Sequence, residues 1–416
     1  MATAMKEVVE ASAAPGVDPL DVSRAELYRD DTWQAPFERL RAESPVHHTP
    51  VSDFGPYWSV STYKPIVEVE SLPEIFSSEA GGITLADFLP ERDVRMPMFI
   101  ARDRPVHTAQ RRTVAPAFTP SEMARMSDDL RNRTAEVLDA LEWNTEFDWV
   151  DTVSVELTTQ MLAILFDFPW ADRRKLTFWS DWAGDIELVK NDELRGQRLG
   201  HMYECGAYFQ NLWNQKIDKP RTPDLISMMI HSDAMAHMDQ MEFIGNLILL
   251  IVGGNDTTRN TMSAFAYGLD RFPDARAKLE ADPGLIGNAT QELIRWQTPL
   301  SHMRRTATQD YELQGQAIKA GDKLALWYVS ANRDRDVFGD DADEIKVDRP
   351  NARRHLAFGH GIHRCVGARL AEMQIGILLE EMAKRRMRVN VVGEPVRVAA
   401  CFVHGYRKLP VEITRY

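Results

Sequence analysis

Cysteine is scarce in this 416-residue chain: Cys205, Cys365 and Cys401 are odd in number and far apart. That spacing excludes a disulfide framework and points to a reducing cytosol. No apolar run approaches the roughly 18 to 20 residues that a membrane span requires; the longest, residues 247–252, is far shorter. Positive charge is in short supply, with 49 Lys and Arg against 62 Asp and Glu and a formal net charge of −13. A nucleic-acid binder would show a basic face, so that class is excluded. There is no CxxC pair, no internal repeat and no phosphate-cradling loop, since no lysine follows Gly253-Gly254. The N-terminus carries Lys6, Glu7 and Glu10 where a signal peptide would have an apolar core. These absences predict a soluble cytoplasmic protein with no membrane span. Its 44% hydrophobic content is enough to build a core that encloses a cofactor.

Residues 1–20, Ala-rich and passing through Pro15-Gly16, read as a flexible lead-in to a single domain over residues 21–416. Alternation predicts a strand at 57–61, followed by a helix at 64–70. Residues 77–105 are spotted with Gly, Pro and Asp and read as loop, whereas 121–237 carry helical periodicity. Residues 311–329 read as strand–turn–strand, with Gly315 and Gly321-Asp322 at the turns. The fold class is therefore mainly α with small β-sheets (α+β). A long central helix starts at Asp239, whose side chain can cap it with Glu242 as capping-box partner, and runs to about Arg271. In its middle stands Gly253-Gly254-Asn255-Asp256-Thr257-Thr258. Close helix packing accounts for glycines alone. An acid beside a hydroxyl at a local break in an apolar helix can in addition accept a water and pass protons inward.

The most informative string is Phe358-Gly359-His360-Gly361-Ile362-His363-Arg364-Cys365-Val366-Gly367. A thiolate that holds an iron needs glycines to fold the backbone tightly, N–H groups aimed at the sulfur and an apolar shield. It also gains from a helix beginning just after it. Gly359, Gly361 and Gly367 supply turns, Phe358 the shield, and residues 368–382 the helix. A buried structural thiol is the plainer reading of one cysteine.

The string F-G-x-G-x-H-x-C-x-G resembles the haem-ligand loop of the bacterial cytochromes P450. The resemblance spans about residues 21–416. Residues 54–60, 156–162, 253–260, 295–300 and 361–367 are similar to the bacterial terminal alkane hydroxylases in particular. It implies the triangular-prism haem-thiolate monooxygenase fold and haem b, with Cys365 as the axial iron ligand inside the Phe358, Gly359 and Gly367 loop, facing Gly254. It implies that His107 and Arg111, an H-x-x-x-R pair of cationic donors on one helix face, hold the haem propionates with Arg305 and His363. Arg333 would join Glu292 and Arg295 of an E-x-x-R helix in a buried network. Asp256 and Thr257 would deliver protons. Leu249, Val252, Leu300 and Phe402 would line the substrate cavity, with Phe88 and Leu89 as further wall residues from the 77–105 loop, where the match is weakest. The implied reaction is hydroxylation of the terminal carbon of a medium-chain alkane or similar small apolar substrate by a monomer. It would use O2 and electrons from a ferredoxin with its NADH-dependent ferredoxin reductase. Arg112, Arg353, Arg354, Arg364 and Arg369 would form a local basic patch for that donor. Cyclic or terpenoid hydrocarbons are the alternative substrates. A peroxide-driven peroxygenase would not need Asp256-Thr257, and a haem-thiolate sensor or haem-binding module would carry an output domain, of which none is visible.

Overall fold

The computed structural model describes residues 18–91, 93–184 and 192–416. Residues 1–17, most of the expected lead-in, lie outside the described residues, as do 185–191 within the helical stretch. The architecture is mainly α with small sheets, as expected.

The central helix runs Gln240–Arg271, 32 residues, or about 48 Å at 1.5 Å per residue. Asp239 caps it, its Oδ1 accepting the Glu242 N–H at 2.9 Å. Its two halves belong to different cores. Phe243, Ile244, Leu247 and Ile251 pack with Trp179, Phe209 and Met229. Met262, Phe265 and Leu269 pack with Trp149, Leu293 and Leu378. The polar Gly253–Thr258 stretch spans the gap between these cores, so it falls where a cavity can open. No break occurs there, contrary to the sequence reading. The helix runs through this stretch uninterrupted, and the Thr257 hydroxyl bonds back to the Gly253 carbonyl at 2.9 Å.

A five-stranded sheet flanks the helical body in the order Val46–Thr49, Tyr57–Val60, Lys323–Leu326, Met303–Ala307, Phe76–Ser77. Only the Tyr57–Val60 and Lys323–Leu326 pair is parallel; the other pairings of this sheet are antiparallel. This sheet carries Arg305 towards the site. The expected strand–turn–strand resolves into a Tyr311–Leu313/Gln316–Ile318 hairpin and the separate strand Lys323–Leu326. Gly315 and Gly321 turn at φ +78° and +92°, a region glycine enters without strain. Tyr328 and Val329 begin a short helix rather than ending a strand. Residues 77–105 are mostly loop, with one turn of 3-10 helix at Phe99–Ala101. Among the described residues no helix is long and apolar enough to cross a membrane.

Candidate active site

Cys365 opens onto a cavity of about 180 Å³. The loop that carries it closes on itself through the Cys365 N–H to the Phe358 carbonyl at 2.8 Å. Gly359 and Gly361 sit at φ +68° and +63°. Gly361 is doubly constrained, because a Cβ there would lie 2.3 Å from the Glu70 carbonyl oxygen. Gly367 lies in the turn expected of it but does not need glycine's conformational freedom. Its φ of −88° is open to any residue; it caps the Ala368–Lys384 helix, and its N–H bonds to the Cys365 sulfur. Burial pushes the thiol above its ordinary pKa, against the pull of that N–H and of the charges on Arg111 and Arg364.

Nitrogen donors gather along the cavity wall. His107 and Arg111 share a face of the Val106–Val114 helix, and both line the cavity with Arg305 and His363. The His107 and His363 rings lie 4.2 Å apart between centroids. Arg111 donates to the Arg364 carbonyl at 2.5 Å, tying this helix to the cysteine loop. The expectation of two cationic donors at His107 and Arg111 needs correction. Burial, reinforced by the charge of Arg111, lowers the His107 pKa to about 4, so the imidazole is neutral at pH 7. His107 is 2% exposed, yet neither ring nitrogen has a hydrogen-bond partner among the described residues. A buried imidazole in that state has an N–H to give to an anionic acceptor in the cavity.

Glu70 was missed in the sequence. Its carboxylate is buried and accepts from Arg305 at 3.0 Å, from Tyr328 Oη at 2.6 Å and from the His360 N–H at 2.8 Å. It therefore links the sheet, the Tyr328 turn and the cysteine loop. Burial pushes its pKa up while Arg305 and Tyr328 oppose the rise. The available signal was a glutamate ending a helix whose Ile66 and Val69 are buried.

Across the cavity, the central helix presents Thr257 and Gly254 to the lumen. A Cβ on Gly254 would meet Leu162 at 2.7 Å. Asp256 does not join Thr257 there, because consecutive helical residues point about 100° apart. It faces a second cavity shared with Asp181, Arg174, Thr177 and Arg259. Its carboxylate accepts from Ser180 at 2.8 Å, Arg259 at 3.0 Å and Asn255 at 3.2 Å, and Arg259 also binds Asp181 at 2.7 Å. Burial, opposed by Arg259 and aided by Asp181, raises the Asp256 pKa to about 6.

The first cavity is also walled by the apolar side chains Phe99, Ile100, Leu165, Leu249, Leu300 and Met303. Four expected wall residues are elsewhere. Val252 packs into the first core towards Gly184, since its helical angle turns it away. Phe402 sits in the core beneath the five-stranded sheet, edge-on to His302 at 5.4 Å. Phe88 and Leu89 are 46% and 37% exposed on the surface.

The E-x-x-R pair is buried and bidentate: Arg295 reaches Glu292 at 2.7 and 2.8 Å, and both side chains have no solvent exposure. Its third member is Arg349, at 2.9 and 3.1 Å from the same carboxylate, and not Arg333. Arg333 donates instead to the carbonyls of Trp296 and Val329 and stacks over Trp33 at 4.6 Å. Two arginine side chains and the Lys346 N–H already fill the room around this carboxylate. The missed signal was Arg349-Pro350, a second arginine beyond the Asn332-Arg333-Asp334 segment.

These residues fit a flat amphipathic macrocycle with an axial thiolate and two carboxylates: one sulfur with an N–H on it, apolar walls, and unpartnered or cationic nitrogen donors. The Cytochrome P450 family model matches residues 285–385. Linalool 8-monooxygenase of Pseudomonas putida is 35% identical over 94% of this chain and 98% of its own length. A methyl-branched lipid omega-hydroxylase of Mycobacterium bovis is 31% identical over 98% of each chain. The solved structure of CYP153D17 from Sphingomonas sp. PAMC 26605 is 81% identical, covers 96% of this chain and 100% of that one, and superposes with a TM-score of 0.92.

Proposed function

The chain belongs to the cytochrome P450 family, haem-thiolate monooxygenases that use O2 and electrons from a redox partner, and on that premise we propose that it hydroxylates the terminal carbon of a medium-chain alkane or similar apolar molecule. The observation that carries the reading is one cavity whose lining holds Cys365, Thr257, the nitrogen donors His107, Arg111, Arg305 and His363, and a majority of apolar residues. Haem b supplies the activation of O2 and the insertion of one oxygen atom into a C–H bond.

The chain's own residues do the rest. Cys365 would hold the haem iron through its thiolate, whose electron donation the Gly367 N–H would temper. His107, Arg111, Arg305 and His363 would hold the propionates. Thr257 passes protons inside the cavity, and Asp256, titrating near pH 6, supplies them from the second cavity. The apolar wall excludes water and orients the substrate by shape, because no polar group in it can grip a hydrocarbon. Exposed arginines at 112, 353, 354, 364 and 369 lie on or near the segments that hold Cys365. Screening limits each charge to about 10 Å, so this patch attracts an acidic ferredoxin although the net charge is −13.

A second reading, cyclic or terpenoid hydrocarbons, is favoured by the linalool-oxidising relative. Product analysis with linear alkanes of increasing length, supplied with ferredoxin, its reductase and NADH, separates the two. The proposed function predicts mostly 1-alcohol, with affinity rising by about 0.8 kcal/mol per methylene until the cavity is full. Mostly subterminal alcohols at every length, or binding of polycyclic substrates alone, overturns it.

A further inference from the structure

Phe99 and Ile100 form part of the apolar wall, yet they belong to the poorly periodic 77–105 loop, where nothing in the local sequence fixes a conformation. What holds them lies in the first turns of the central helix. Asn246, wholly buried in an otherwise apolar run, accepts the Phe99 N–H through Oδ1 at 2.9 Å. Its amide nitrogen is committed to the Glu242 carbonyl at 3.1 Å and to the Met238 sulfur at 3.2 Å, which fixes its orientation. The preceding residue, Gly245, lets the loop press onto the helix. A Cβ there would lie 2.1 Å from the Pro97 carbonyl oxygen and 2.9 Å from that of Met96. Past the turn, Arg102 is held by Glu79 at 2.6 Å. The helix is further tied to the Val106–Val114 helix by Gln110 to Glu242 at 2.8 Å.

We propose that Gly245-Asn246 is a latch that seats the Phe99 turn as a wall of the substrate cavity, making Asn246 a positioning residue for substrate length although it touches no substrate. The reasoning is one of alternatives. Without an acceptor, the Phe99 N–H must be buried unsatisfied or must move out to water, and moving out carries Phe99 off the wall. The central helix is rigid and also bears Thr257, so the latch fixes the distance between that wall and the proton-passing hydroxyl. The proposal deepens the proposed function, since it names what sets the size limit of that same cavity.

Its test is optical titration of the holoenzyme with N-alkylimidazoles of increasing tail length. Their ring nitrogen binds haem iron whatever the natural substrate is, and the tail reports cavity depth. In wild type the dissociation constant should fall about fourfold per added methylene up to a sharp limit. In Asn246→Ala, and in Gly245→Ala, the gain should drop below about twofold per methylene and the limit should blur. Should these variants fold poorly, hydrogen exchange on wild type alone decides. The Phe99 amide should exchange as slowly as amides of the central helix and far more slowly than those of Val94 and Arg95. A profile for Asn246→Ala parallel to wild type, or a fast-exchanging wild-type Phe99 amide, overturns the latch and leaves the reaction untouched. Absence of any imidazole-induced spectral change in wild type instead overturns the haem reading beneath it.

Discussion

Glu292→Ala should lower the unfolding free energy by about 3–5 kcal/mol, because it strands two arginines in the interior. Arg295 and Arg349 both direct guanidinium N–H groups at this carboxylate, which also accepts the Lys346 N–H at 2.9 Å. None of the three side chains is more than 4% exposed, so water cannot replace the lost acceptor. The cost is that of leaving charge uncompensated and says nothing about the net worth of the intact network, which an apolar trio can match. Glu292→Gln, which keeps one acceptor, should lose less. Denaturant midpoints measure both, and a double-mutant cycle between Glu292 and Arg349 should show coupling, whereas one with Arg333 should not. An unchanged midpoint for Glu292→Ala would contradict the geometry.

Thr257→Ala should leave folding and substrate binding nearly intact while product formed per NADH falls on the order of a hundredfold, the low end of what positioned proton transfer contributes. The missing product should appear as hydrogen peroxide. The hydroxyl is a polar group that the central helix places in the cavity beside Gly254, and the methyl that remains cannot carry a proton. Asp256 supplies the pH dependence. Its carboxyl is protonated below about 6 and ionised above, so proton-limited turnover should decline as pH rises through that value. Asp256→Asn should be slower and should lack that step. The groups facing Asp256 include Arg259, Asp181, Ser180 and Asn255; Asp181 adds to the effect of burial, and the other three oppose it. Tight coupling in Thr257→Ala would remove the role assigned to this hydroxyl.

The cysteine loop could be read from the chain because its chemistry is local: glycines, shield, sulfur and helix start all lie within ten residues. The central helix was legible for the same reason, from a cap and a periodic run. The misplaced site residues are mostly matters of side-chain direction or of distant pairing. Val252 and Asp256 sit beside true cavity residues, and one helical step of about 100° turns them away. Glu70 meets Arg305 across 235 positions, and Arg349 meets Glu292 across 57, so neither partnership leaves a local pattern. Asn246 was passed over because one polar residue in an apolar run acquires meaning only when the Phe99 N–H is seen opposite it.

The central claim, that Cys365 alone provides the axial thiolate, is tested most directly by the reduced carbon monoxide difference spectrum of wild type beside single alanine variants of the three cysteines. The red-shifted thiolate band should be present in wild type, Cys205→Ala and Cys401→Ala, whose sulfurs are buried in apolar cores, and absent in Cys365→Ala. Its persistence in Cys365→Ala, or its loss from a folded Cys401→Ala protein, would contradict the assignment.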